Sequence, residues 1–326
     1  MFKLMLAMLP GIAAFVWYFG PAILLSLGVA TLVALLCEAL MLLLRRAPMK
    51  LFMTDLSAVV TAWLLALSLP PLVPWWLVAI GTAFAIIVAK HLYGGLGSNP
   101  FNPAMVGFAV LLIAFPLQST RWPPPLMLSA TRVGFDITLA YVFPGMVEAP
   151  RFLVDAETMA TPLDTLRTQI GLNETISDFS YMPVFGKVGG IGFEMMALGY
   201  LLGGLLLWQQ RIISWHMPTA FIAGIVALGG VLWLVDPAHY ASPLFHLATG
   251  GTMLGAFFIV TDPVSGATTP TGKLIFAAAA GVLTYVIRVF GGYADGVAFA
   301  VLIMNMTVPL IDAYTQPAVF GRKART

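Results

Sequence analysis

The apolar stretches of this chain are long and almost free of charge, and no other feature constrains its fold so tightly. Only 9% of its 326 residues are Asp, Glu, Lys or Arg, while 60% are hydrophobic, and the mean hydropathy is +0.94. A soluble domain carries roughly a quarter charged residues, so this sequence cannot cover an ordinary water-facing surface. It reads as an integral membrane protein. Gly and Pro are plentiful, at 31 and 23, as transmembrane helices tolerate. The short alternating segments of an outer-membrane barrel are absent, so the expected class is all-α.

At ~20 residues per crossing, about ten segments qualify: 3–20, 22–44, 51–69, 74–92, 103–118, 188–209, 217–235, 243–260, 273–290 and 296–314. The first carries Lys3 and small residues at Ala13 and Ala14, like a signal peptide. A second apolar segment follows at once, so it reads as a span. The division expected is five helices over 1–118, an external loop over 119–187, five more helices over 188–314 and a tail over 315–326.

Lys and Arg favour cytoplasmic loops. With both termini inside, the inner side collects Lys3, Arg45, Arg46, Lys50, Lys90, Arg211, Lys273, Arg322, Lys323 and Arg325. The short outer turns, 70–74 and 236–243, hold no Lys or Arg. The long loop is the one polar region, with Asp136, Glu148, Asp155, Glu157, Asp164, Glu174 and Asp178. A net charge of +2 gives no reason to expect nucleic acid as a partner. Cys37 is the only cysteine, which excludes an intrachain disulfide and a cysteine-ligated iron–sulfur cluster. No metal site and no catalytic residues are expected.

The layout of Leu64–Pro71 resembles that of Phe257–Val264, and His91-Leu92-Tyr93-Gly94-Gly95 echoes Arg288-Val289-Phe290-Gly291-Gly292. The units are offset by about five spans, an odd number, so they point in opposite directions. Inverted repeats place a pathway or cofactor site where they meet.

One motif occurs twice: Asp155-Ala156-Glu157-Thr158-Met159-Ala160-Thr161 and Asp262-Pro263-Val264-Ser265-Gly266-Ala267-Thr268. Both read Asp-x-x-Ser/Thr-x-Ala-Thr, the pattern at which a periplasmic flavin transferase esterifies the last threonine with FMN. Topology separates the copies. Thr161 falls in the external loop and Thr268 in a cytoplasmic turn, where Thr-Pro-Thr-Gly-Lys reads as turn and helix-cap chemistry. Pro162 favours an extended Thr161, with Asp155, Thr158 and Ala160 as the surrounding recognition residues.

On the cytoplasmic side, Asn99-Pro100-Phe101-Asn102-Pro103 opens the fifth span, with Asn102 as cap and Pro103 at the first helical position. Such an end can face an electronegative ligand. Ionisable residues inside spans are functional candidates by default, and Glu38, Glu194 and His246 qualify, with Asp55 and Asp312 nearer span ends. Glu38 lies about two turns from Arg45, which suits a snorkelling or paired role, with a coupling-ion role as the alternative. Glu194 and His246 are expected to make interhelical hydrogen bonds. Trp75, Trp76, Trp122 and Trp215 read as interfacial belt residues.

The segments KHLYGGLGSNPFNPAMVGFAVLL, DAETMATPLDTLRT, HLATGGTMLGAFFIVTDPVSGATTPTGKLIF and RVFGGYADGVAFAVLIMNMTVPLID resemble the family that holds the D-type subunit of the Rnf ion-translocating electron-transport complex and its B-type homologue in the sodium-translocating NADH:quinone reductase. The likeness runs from about Leu6 to Tyr314. It implies FMN phosphoester-linked at Thr161 and a second, non-covalent flavin (riboflavin in the reductase), to which Asn102 is the candidate neighbour. It further implies a bacterial inner-membrane protein moving electrons while H+ or Na+ crosses, with the other complex subunits, a flavin transferase and membrane lipid as partners. No turnover is expected from the chain alone. Met159 stands where the flavinylation pattern prefers glycine, and the polar N-terminal lead of the family is lacking. The alternative is a channel or secondary transporter on the same inverted repeat, without a redox role.

Overall fold

A computed structural model describes residues 1–95, 97–129, 135–144 and 158–316. Among these residues the chain is helical, without a β-strand, apart from two isolated bridges, Trp122 to Met159 and Phe185 to Gly190. Six helices are long and apolar enough to cross a membrane: Phe2–Phe19, Ala22–Leu44, Met49–Ser68, His216–Val235, Pro270–Phe290 and Val297–Thr315. Three more apolar helices are shorter, Trp75–His91, Pro103–Ala114 and Phe193–Gln209. At 1.5 Å per residue, the 12 residues of Pro103–Ala114 reach ~18 Å, short of the ~30 Å of a hydrocarbon core. The helix Pro116–Thr120 continues it after a bend at Phe115.

Two of the expected spans are broken. The first break lies between Met49–Met53 and Ser57–Ser68, where Leu56 takes a left-handed φ of 62°. There Asp55 Oδ1 accepts from Ser57 N at 2.7 Å and Ser57 Oγ at 2.6 Å. The second lies between Pro243–Ala248 and Thr252–Leu254, the latter continuing as a π-helical turn over Gly255–Ile259. Gly250 turns the chain there with φ 60°. A Cβ on it would meet Asp295 and Leu163 at 2.8 Å each, so glycine is required both by conformation and by space. Side chains take over the freed backbone: Thr249 Oγ1 donates to Phe245 O and Thr252 Oγ1 to His246 O, both at 2.6 Å. Away from water, an unpaired carbonyl costs several kcal/mol (~2–7).

Helix Phe2–Phe19 lies against Phe193–Gln209, and His216–Val235 against Pro270–Phe290. In the first pair a Cβ on Gly199 would sit 2.7 Å from the backbone of Gly11, so the two backbones nearly touch, as small residues allow in lipid-exposed bundles. One continuous apolar core runs through the bundle. A second, smaller one docks the polar region: Leu163, Leu166 and Phe179 pack with Ala241 and Phe245. That cluster seats the helix Pro162–Gly171 on the end of the bundle.

Candidate functional site

Thr161 caps that docked helix. Its backbone is extended (φ −65°, ψ 161°) and Pro162 takes the first helical position, as the residue before proline requires. Thr161 Oγ1 accepts from Asp164 N at 3.2 Å and donates to Asp164 Oδ2 at 2.6 Å. Upstream, Met159 N donates to Trp122 O at 2.9 Å, which pins the motif to the bundle. Thr158 and Ala160 are exposed; Asp155 lies outside the described residues. Trp122 is no belt residue. It stacks on Phe15 with centroids 5.8 Å apart and contacts Phe193 at 5.2 Å, so its ring closes the bundle beneath the motif.

Thr161 borders a cavity of about 340 Å³, within the ~300–1,000 Å³ typical of small-molecule sites. Trp122, Tyr200, Gly251, Tyr293 and Asp295 share the wall with it, and the floor reaches Ser68 and Met105. Asp295 is clamped. Its carboxylate accepts from Arg288 Nη2 at 2.9 Å and from Gly251 N, while Arg288 Nη1 donates to His246 O at 2.8 Å. Burial would raise the Asp295 carboxyl, but Arg288 and the backbone donors outweigh it and hold it below the usual carboxylate range. Arg167 Nη1 also donates to Gly292 O. The broken span, the 291–296 loop and the Thr161 helix are thereby tied together.

A second cavity, about 490 Å³, lies at the other end of the helix Ser57–Ser68. Asn102 caps Pro103–Ala114 as expected, accepting from Met105 N at 3.3 Å. Its Nδ2 donates to Ile259 O at 3.3 Å, and its backbone N donates to Asn305 Oδ1 at 3.0 Å. Glu38 does not pair with Arg45. It accepts from Lys90 Nζ at 2.8 Å and lies 2.9 Å from His91 Nε2, all three side chains being buried. Lys90 also donates to Ser57 Oγ at 2.9 Å. The reason is geometric: Lys90 and His91 end a helix that packs across Ala22–Leu44, whereas Arg45 lies beyond its end.

The two cavities are neighbours. Leu64 lines one and Leu67 the other; Asn102 and Met105 divide in the same way, as do Phe258 and Ile259. About one helical turn, ~5 Å, therefore separates the walls. Tyr200 on the Thr161 side and Phe258 on the Asn102 side meet edge-on with centroids 6.1 Å apart.

Thr268 stands away from both. Its hydroxyl donates to Asp312 Oδ2 at 2.9 Å, and Thr269 caps Pro270–Phe290. Glu194 makes a local contact instead of an interhelical one, accepting from Val188 N at 2.9 Å and Gly189 N at 2.8 Å. His246 packs on Tyr285 at 4.7 Å, and neither ring nitrogen has a hydrogen-bond partner among the described residues. No group of three or more metal-ligating side chains occurs among them. Sequence reasoning does not single out Lys90, Ser57, Arg288 or Asp295 as site residues. The charges of Lys90 and Arg288 at span ends are the available signal.

The model of the NQR2, RnfD, RnfE family matches residues 1–321. A relative from Yersinia pseudotuberculosis serotype O:1b, the D-type subunit of an ion-translocating oxidoreductase complex, is 49% identical over 331 residues, covering 99% of this chain and 94% of its own. The protein of the same description from Salmonella paratyphi B is 48% identical over 330 residues, again covering 99% and 94%. The broken spans, the capped helices and both cavities thus lie in a chain matched almost end to end, and it belongs to the NQR2, RnfD, RnfE family.

Proposed function

We propose that this chain is the membrane electron-transfer subunit of an Rnf-type ion-translocating oxidoreductase complex, with FMN esterified to Thr161 and a second, non-covalent flavin in the Asn102 cavity. One observation carries the reading: the threonine of the flavinylation motif borders an aromatic cavity whose floor lies one turn from a second cavity. The residues fit the group. Thr161 supplies the hydroxyl, and its place as cap puts a phosphate at the positive end of a helix of 10 residues. Trp122, Tyr200 and Tyr293 offer faces to a planar ring. The flavin supplies the electron chemistry; the chain holds the rings close and dry. Asp164 has to give up its bond to the Thr161 hydroxyl when the ester forms, since ester oxygen no longer donates.

The same reading places about ten crossings in two inverted repeats. Each broken span would be the third of its repeat, and each break lies near that span's start, beside a buried cation of the following span (Lys90 or Arg288). Both termini would be cytoplasmic in the bacterial inner membrane, with the Thr161 loop periplasmic, where the flavin transferase acts. The other subunits of the complex would supply and accept electrons, and H+ or Na+ would cross.

Co-expression with a flavin transferase tests this. Wild type should fluoresce as a covalent flavoprotein on a denaturing gel, Thr161→Ala should be dark, and Thr268→Ala should match wild type. A dark wild type returns the chain to the channel or transporter alternative.

A further inference from the structure

Buried charges flank the Asn102 cavity. We propose that Lys90 contacts the cofactor there, its ammonium donating to the electronegative edge of the planar ring that the cavity holds. This rests on the reading that a non-covalent flavin occupies the cavity, and it names the group that holds the ring.

The asparagines are the obvious candidates, but each is neutral and already holds one of its two amide N–H groups on a backbone carbonyl. Asn99 Nδ2 donates to Phe101 O at 2.9 Å, while Asn102 donates through Nδ2 to Ile259 O and accepts through Oδ1 from Met105 N. Lys90 is placed differently. An ammonium has three donors, and two are used, on Glu38 Oε1 and Ser57 Oγ. Lys90 and Ser57 both line the cavity. Ser57 Oγ donates its hydrogen bond to Asp55 Oδ1, so its lone pair accepts from the ammonium and fixes it. Lys3 also lines the wall, and it is exposed. Asp262, which also lines the cavity, accepts from Ser265 Oγ at 2.6 Å.

A pure counter-ion role for Lys90 leaves its position unexplained. Glu38 already has His91 on its second oxygen, and a buried ion pair is a poor source of stability against an apolar substitute. An intramembrane lysine facing a cavity is a functional candidate by default. A flavin ring presents nitrogen and carbonyl acceptors along one edge, where a cation also favours the reduced state.

The test uses the full chain and riboflavin as probe. In Glu38→Leu/Lys90→Met the pair is removed together, so neither of its two charges is left buried without the other. Melting temperature and covalent fluorescence at Thr161 report that the variant is folded and loaded. Riboflavin should then bind about tenfold more weakly or worse, the loss of one charge-assisted bond, and the potential of the remaining bound flavin should move negative. Wild-type affinity and potential in a folded double variant would overturn the proposal. Should the double variant not accumulate, Ser57→Ala decides, since it frees the ammonium without exposing a charge. It should shift the bound flavin's potential and absorption, and an unshifted flavin overturns the proposal. A wild type that binds no riboflavin removes the underlying reading as well, which separates the two failures.

Discussion

The two cavities are built from similar parts and closed in different ways. Each sits against a broken helix, near a proline-started helix with a polar cap (Thr161-Pro162 or Asn102-Pro103), and near a buried cation paired with a carboxylate. At the Thr161 cavity the carboxylate is Asp295, whose side chain is 32% exposed, and the lid is a polar helix docked through a small apolar cluster. At the Asn102 cavity the carboxylate is Glu38, 2% exposed, with lysine and histidine on its two oxygens. On the function proposed above, the exposed version suits a site reached by a modifying enzyme, and the buried version one that holds a ligand without a covalent bond.

That contrast sets the order of expected effects. Lys90→Ala leaves the buried Glu38 with His91 as its one remaining partner and should cost about 3–5 kcal/mol, read as collapse of yield and melting temperature in detergent. Arg288→Ala should cost less, about 1–3 kcal/mol, because Asp295 can turn to water. Equal losses for the two would break the comparison.

The Asp295 clamp also has a pH signature. The folded carboxyl lies below its ordinary value, so its stabilisation is complete above the unfolded value near ~3.9 and is lost as pH falls through the lower folded value. Below about pH 4 the gap between wild type and Asp295→Asn should therefore close, as seen in acid unfolding profiles.

Gly250→Ala should destabilise by about 1–2 kcal/mol through its left-handed backbone alone, with further loss from contact with Leu163 of the Thr161 helix. Protease should then reach the 158–171 segment sooner than in wild type. The smallest effect belongs to the caps. Asn102→Leu and Thr269→Ala should each cost about 1 kcal/mol, but only Asn102→Leu should also lower non-covalent flavin, with covalent FMN preserved. Unchanged flavin in Asn102→Leu would reduce that residue to helix-start chemistry.

Some of this is legible in the sequence, and the rest is hidden for identifiable reasons. Asn102-Pro103 and Thr161-Pro162 are readable because caps are local: the proline fixes its own φ and restricts its neighbour. The breaks at 54–56 and 249–251 carry local signals, Thr54-Asp55 before Ser57 and Thr249-Gly250-Gly251-Thr252, but the apolar runs on either side add up to one span's length and hide them. Nearness in sequence points Glu38 to Arg45, whereas its partner Lys90 is 52 residues away, brought in by helix packing. Trp122 resembles a belt residue because composition cannot distinguish a ring facing lipid from one stacked on Phe15. Span lengths mislead in the same way: Pro103–Ala114 is shorter than the apolar run that contains it.

The central claim is that Thr161 bears the flavin, and peptide mapping reads it directly. Protein co-expressed with a flavin transferase should be digested with trypsin, and the peptide from Phe152 to Arg167 measured by mass spectrometry. The account predicts that this peptide carries the added mass of FMN less one water, with fragment ions placing it on Thr161 and the Thr268 peptide unmodified. The added mass on Thr268, or an unmodified Thr161 in protein that is visibly yellow after denaturation, would contradict it.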